Sequence, residues 1–246
     1  MKDLYLDNFY KLDLYGKSSK KPYNRGKSFG YQVLGFGSGV ATAAALPTQK
    51  GIFPFGSTFV VATDTFTRFN TSNIVNESGV MQADTAAAAG VSTINQGAGA
   101  TYGGDKAIHA FGNSDSNVTG NSTNVKNLIS NTGVVAATAS GVGTSRLELS
   151  AVSFGSGNAL FAFGTTASGV TNIKNLVSDA GVVASDSTGV GTANTSRYET
   201  SFGGVSAGTA LIALGSAGNR NLVSNTGVVA TDSTIGNASS RTQGCG

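Results

Sequence analysis

The stretch Asn127-Leu128-Ile129-Ser130-Asn131-Thr132-Gly133-Val134-Val135 returns as Asn175-Leu176-Val177-Ser178-Asp179-Ala180-Gly181-Val182-Val183 and again as Asn221-Leu222-Val223-Ser224-Asn225-Thr226-Gly227-Val228-Val229. A more divergent copy reads Asn73-Ile74-Val75-Asn76-Glu77-Ser78-Gly79-Val80-Met81. The turn glycines at 79, 133, 181 and 227 step by 54, 48 and 46 residues. A period of about 50 residues marks an array of small β-units. Two apolar residues, a polar turn ending in glycine and two further apolar residues predict a hairpin, with the glycine taking a positive φ.

Two further segments recur before this one. Upstream lies an apolar strand ending in glycine: Ala107-Ile108-His109-Ala110-Phe111-Gly112, Ala159-Leu160-Phe161-Ala162-Phe163-Gly164 and Ala210-Leu211-Ile212-Ala213-Leu214-Gly215. Before that lies an outer strand, Arg146 to Val152 in one copy and Arg197 to Phe202 in the next. The Val-Val segment forms the fourth part. Four short strands per repeat predict an all-β fold, a small β-propeller of about four blades of four strands over residues 51–246. The loop between the Phe-Gly and Asn-Leu strands varies, from Gly112 to Asn127, Gly164 to Asn175 and Gly215 to Asn221. Variation at one corner of a repeat marks the face free to diverge, often the binding face. Candidate contact residues there are Asn113, Asp115, Asn117, Asn121, Thr165, Thr166 and Asn219.

The repeat region opens on Ile52-Phe53-Pro54-Phe55-Gly56, a Phe-Gly strand with no outer strand before it. It closes on Ser240-Arg241-Thr242-Gln243-Gly244-Cys245-Gly246, the start of an outer strand with no Phe-Gly strand after it. The two halves make one blade. They predict either a ring closed between the ends of one chain, which hides two sheet edges, or an open arc completed by another copy.

Composition supports many short strands and turns. Charged residues make up 12% of the 246, while glycine numbers 35 and proline 3. The net charge of +3 is concentrated in residues 1–27, with seven Lys/Arg against three Asp. Residues 1–50 therefore read as an extended N-terminal anchoring arm and linker, with Tyr5, Phe9, Tyr10, Tyr15, Tyr23, Arg25, Phe29 and Tyr31 as its anchors. Aromatic residues and arginine are enriched in protein contacts. The repeats show no basic stripe, so nucleic acid is not an expected partner. No apolar run of about 18 residues is present, so membrane insertion is not expected. Nor does the chain begin with an apolar leader, which predicts a protein made in a cytoplasm.

Little in the sequence points to catalysis, a cofactor or a metal. One histidine, His109, and one cysteine, Cys245, cannot make a metal cluster or a nucleophile-base pair among many interchangeable serines. His109 aligns with Phe161 and Ile212 and reads as a packing substitution. The carboxylates Asp186 and Asp232, and Glu148 and Glu199, are periodic and read as architecture. Arg146, Arg197 and Arg241 are periodic too, and read as braces that hydrogen-bond across neighbouring blades.

The order of Arg146, outer strand, Leu160-Phe161-Ala162-Phe163-Gly164, loop, Asn175-Leu176-Val177, turn and Val182-Val183 resembles a kelch-type repeat. Its Gly/Ser/Thr-rich wording resembles repeats of tailed-phage virion proteins, common in phages of cyanobacteria and other aquatic bacteria. The segment Phe29-Gly30-Tyr31-Gln32-Val33-Leu34-Gly35-Phe36-Gly37-Ser38-Gly39 resembles a leader of such proteins. The resemblance spans about residues 28–246 and implies a non-enzymatic virion protein, a tail-fibre component or adhesin. Its arm would dock on other virion proteins of tail, baseplate or capsid, and its loops on host polysaccharide, in homo-oligomeric form. A decoration or cement protein is the alternative within the virion. A carbohydrate-active propeller enzyme is the alternative from another class.

Overall fold

The computed structural model describes residues 51–60, 65–114, 121–189, 191, 200–203, 208–213 and 219–234. These are all-β, built from small antiparallel sheets, with no helix among the described residues. The first sheet joins β1 (Gly51–Val60), β2 (Thr65–Val75) and β3 (Thr85–Ala86). The second joins β4 (Ala98–Tyr102), β5 (Lys106–Ala110) and β6 (Lys126–Ile129). In the third, β7 (Ser150–Phe154) and β8 (Asn158–Ala162) are followed by a small hairpin of β9 (Thr165–Thr166) and β10 (Gly169–Val170). The sheet is completed by β11 (Ile173–Val177) and β12 (Ser187–Thr188), in the order β12-β11-β8-β7. The fourth runs β13 (Thr200–Gly203), β14 (Ala210–Ala213), β15 (Asn219–Val223) and β16 (Ser233–Thr234).

Each of the four larger sheets is one repeat, with the same register in all four, and the β9–β10 hairpin forms a two-stranded sheet of its own. The Asn of the Asn-Leu strand lies opposite Phe53, His109, Phe161 and Ile212 in turn. Four turns close these strands identically. The turn glycine N–H donates to the carbonyl of Asn76, Ser130, Ser178 or Ser224 at 2.9–3.0 Å. The Asn76 Oδ1 or serine Oγ accepts from the N–H two and four residues on. Gly79, Gly133, Gly181 and Gly227 have φ of 76–84°, the left-handed conformation that glycine adopts without steric cost.

The elements differ from expectation in three places. The outer strand of the third repeat starts at Ser150 and not at Arg146, because Glu148 takes φ 55° and breaks the extended run. The Val-Val segment is held by single bridges, Ile129 to Val135, Val177 to Val183 and Val223 to Val229, and only two-residue strands follow it in the third and fourth repeats. The first repeat opens on a long hairpin, with a bulge where Pro54 gives way to Gly56. Proline cannot donate to a ladder, and β1 lies at a sheet edge.

The sheets stack face to face, β4 against β7 and β7 against β13. In β8 the alternation of side chains splits the core in two. Ala159 and Phe161 pack with Tyr102, Ile108 and Phe111 of the repeat before. Leu160 and Ala162 pack with Ala210, Ile212 and Val223 of the repeat after. From Ala159 to Ala162 the strand is apolar because both of its faces are covered. Glycine permits the closest approach at the hairpin tips: a β-carbon on Gly157 would sit 3.2–3.3 Å from the backbone of Gly103 and Gly104. The first and fourth sheets share no extensive packing among the described residues.

Candidate binding surface

Strand direction sorts the connections to two ends of the stack. The β4–β5 tip and the Asn131-Thr132-Gly133 turn lie together, and Asn131 Nδ2 donates to Asp105 Oδ2 across them at 2.9 Å. The Phe-Gly corners of Phe111 and Phe163 and the described parts of the connections that follow them lie at the opposite end, since β5 and β6, like β8 and β11, are antiparallel. One end thus repeats itself, and the other carries the variation.

The variable end is built on the Phe-Gly corner. Phe55, Phe111 and Phe163 have φ of 62–66°, a strained conformation for an aromatic residue. It turns each ring onto the following repeat. Phe55 packs on His109 with centroids 5.1 Å apart, and Phe111 on Phe161 at 5.3 Å. Phe163 shares a core with Ile212. His109 is thus one rung of an apolar ladder, as its alignment predicts. Its Nδ1 is buried with no hydrogen-bond partner among the described residues. Burial lowers its pKa to about 4, so the ring is neutral at pH 7.

Behind each corner an asparagine clamps the Val-Val segment. Asn175 Nδ2 donates to the Ala184 carbonyl at 3.0 Å and to Asp186 Oδ1 at 2.9 Å. Asn221 does the same with Ala230 and Asp232, Asn127 with Ala136 and Thr138, and Asn73 with Gln82 and Asp84. Arg146 completes the third-repeat clamp. Wholly buried, it donates from Nε to the Phe163 carbonyl at 3.0 Å, from Nη1 to the Thr144 carbonyl at 3.2 Å and from Nη2 to Asn175 Oδ1 at 2.6 Å. Its guanidinium lies 4.0 Å from the centre of the Phe111 ring, in the repeat before, a cation–π geometry. Burial lowers its pKa to about 10 and the charge of Asp186 offsets part of that, so it stays protonated at neutral pH. Burial raises the Asp186 pKa, but hydrogen bonds from Thr144 and Asn175 and the charge of Arg146 outweigh it, and the net shift is downward. The hydrogen bonds expected of Arg146 are present but stay within the third repeat, and it reaches the repeat before through the Phe111 ring; Arg197 and Arg241 lie outside the described residues.

Of the candidate contact residues, Asn113 faces inward at 1% exposure, because it bridges Asn95 and Ser122 in the base of its loop. Asn121 is exposed. Thr165 is half-buried, its N–H donating to the Leu147 carbonyl at 2.8 Å, and Thr166 Oγ1 donates to the Gly169 carbonyl within the β9–β10 hairpin. Asn219 donates to Asp232 Oδ2 at 3.3 Å. Asp115 and Asn117 lie outside the described residues, as do Tyr5, Phe9, Tyr10, Tyr15, Tyr23, Arg25, Phe29 and Tyr31.

Sequence reasoning missed one pair at this end. Gln96 and Glu148 have φ of 54° and 55° and meet across repeats, with the Glu148 N–H donating to the Gln96 carbonyl at 2.9 Å. Their shared distance from the Phe-Gly corners, 16 residues before Gly112 and Gly164, is the signal that could have found them. The described residues gather no group of three or more His, Cys, Asp or Glu side chains. No protein-family model and no curated protein matches the chain.

Proposed function

We propose that this chain is a structural protein of a phage particle, a tail-fibre or host-attachment component that does no catalysis. The observation that carries this reading is the segregation of its connections. A rigid stack repeats one turn along one end and gathers its unequal loops at the other. Side-chain networks fix the framework there, through Arg146, Asn175 and Asp186, while the loops are free to differ. Loops held on such a scaffold suit recognition. Their hydroxyls and amides suit a polysaccharide, and many copies on one particle would convert weak contacts into avidity. Residues 1–50 are the arm that docks on other virion proteins. The repeats are blades of a small kelch-like propeller, about four to a chain, closed within one chain or completed by another copy.

The test replaces loops 113–124, 165–172 and 216–219 with short Gly-Asn linkers in the phage that carries this chain. Adsorption to host cells is expected to fall at least tenfold while particles assemble normally. Unchanged adsorption with fragile particles would reject attachment in favour of a decoration or cement role.

A further inference from the structure

The stack has two unlike ends, and each exposes apolar residues that are covered everywhere else. On the leading face of the first repeat, Phe53 is 58% and Met81 53% exposed. Their counterparts by register are His109, Phe161 and Ile212 for Phe53, and Val135, Val183 and Val229 for Met81, all buried. Each counterpart is covered by the repeat before it, which the first repeat lacks. On the trailing face of the fourth repeat, Leu222 is 49% exposed. Its counterparts Ile74, Leu128 and Leu176 each lie under the turn glycine of the next repeat, respectively Gly133, Gly181 and Gly227. Gly79, the corresponding glycine of the first repeat, has nothing within 4 Å of its would-be β-carbon.

Among the described residues, the lysine contact of the junction is not repeated at the trailing end. Lys126 Nζ donates to the Gly181 carbonyl at 3.4 Å, and Lys174 Nζ to the Gly227 carbonyl at 3.1 Å. Arg220 holds this position in the fourth repeat, and its Nε donates within its own sheet, to Ser233 Oγ at 3.0 Å. The first sheet also leaves free, among the described residues, the edge of β1 that β4, β7 and β13 cover on β5, β8 and β14.

We infer that the trailing face of one copy receives the leading face of a second copy, head to tail. The Asn76–Val80 turn of the second copy seats over Leu222 as Gly227 seats over Leu176, and Arg220 donates to the incoming Gly79 carbonyl. The turn-on-strand contact recurs three times within the chain, over Ile74, Leu128 and Leu176, and the lysine contact twice, so the second copy is the occupant whose surface matches. Repeat arrays that stay monomeric need polar terminal faces, and these faces are apolar. Because the contact is heterologous, it propagates into a ring or a filament according to its rotation.

The test uses the full chain and two variants, Met81→Glu on the leading face and Leu222→Glu on the trailing face. Sedimentation should show the wild type growing with concentration in multiples of 24.6 kDa. Each variant alone should sediment as a monomer, and an equimolar mixture should give a 1:1 pair, since each supplies the face the other has lost. Far-UV circular dichroism checks that the variants fold. Should the charged pair misfold, Met81→Gln and Leu222→Gln repeat the test. A wild type that stays monomeric at every concentration would overturn the inference, whether residues 1–50 or closure within the chain covers these faces. A multimer that survives both substitutions would overturn it as well. So would a mixture that fails to pair, since that points to a symmetric contact.

Discussion

Arg146 is wholly buried because its surroundings supply everything its charge requires: two carbonyls, the Asn175 amide oxygen and the nearby Asp186 carboxylate from the third repeat, and the aromatic face of Phe111 from the second. The second repeat solves the same problem without charge. Ile94 stands where Arg146 stands relative to the Phe-Gly corner, and Thr138 stands for Asp186. The Ser92 N–H donates to Thr138 Oγ1 as the Thr144 N–H does to Asp186 Oδ2. The cost of this solution is visible, since Asn127 Oδ1 is left without a partner among the described residues. Arg146→Ile should therefore destabilise by about 3 kcal/mol, the scale for removing one member of a buried charged network. Combined with Asp186→Thr it should cost less than the two singles together, by about 1 kcal/mol or more. Strict additivity in urea denaturation would show that these residues do not act as a unit. His109 gives the second prediction at this scale. Its folded pKa lies near 4 against 6.5 when solvated, so the unfolded chain binds the extra proton between those values. Stability is full above pH 6.5 and falls as pH drops toward 4, by roughly 3 kcal/mol. His109→Phe, which copies the Phe161 rung, should remove that loss and raise stability at neutral pH. Melting curves from pH 4 to 7 that keep their slope in the variant would refute the assignment.

Among the elements, the turns were legible and the corners were not, for one physical reason. Glycine advertises a positive φ, so the turns at Gly133, Gly181 and Gly227 could be placed from sequence. Phe111, Phe163, Gln96 and Glu148 take the same region with side chains that carry no such signal. Tertiary packing imposes those conformations, so the strand expected from Arg146 instead began at Ser150. The first hairpin escaped notice because Pro54 and the bulge interrupt its alternation. The stacking of turn on strand yields a comparison that separates backbone strain from packing. Gly79 and Gly227 share a φ near 76–79°, but a β-carbon on Gly227 would lie 2.6 Å from Leu176 Cδ2 and 2.7 Å from Phe154 Cζ, and one on Gly79 meets nothing. Gly79→Ala should cost only the left-handed penalty, about 1 kcal/mol. Gly227→Ala should cost that and about 1–3 kcal/mol of overpacking. The comparison is made by thermal unfolding at low protein concentration in the Leu222→Glu background, which keeps Gly79 uncovered. Equal losses would mean that the turn does not bear on the strand beneath it.

At the scale of the molecule, the period of about 50 residues revealed the all-β array because each of the four larger sheets is one copy of the unit. Whether that array closes into a ring was not legible, since closure depends on the small rotation between sheets and periodicity does not encode it. The binding face was legible in part. Loop length located the variable end, but composition could not show that Asn113 turns inward, which follows from its bridges to Asn95 and Ser122. A stack of near-equivalent junctions makes a prediction that a fold with a single central core would not. Deleting residues 133–180 removes 48 of 246 residues and joins Thr132 to Gly181, one repeat downstream in an identical register. Gly181 then takes the place of Gly133 over Ile74, and Gly227 that of Gly181 over Leu128. Ile212 takes the Phe161 rung against Phe111, which leaves a smaller side chain there and weakens the junction by about 1–2 kcal/mol. In a repeat array stability is close to a sum of units and nearest-neighbour junctions. The shortened chain should therefore fold cooperatively with its β spectrum intact and a urea m-value lower by roughly a fifth. Loss of cooperative unfolding would show that the four repeats depend on one another beyond nearest neighbours.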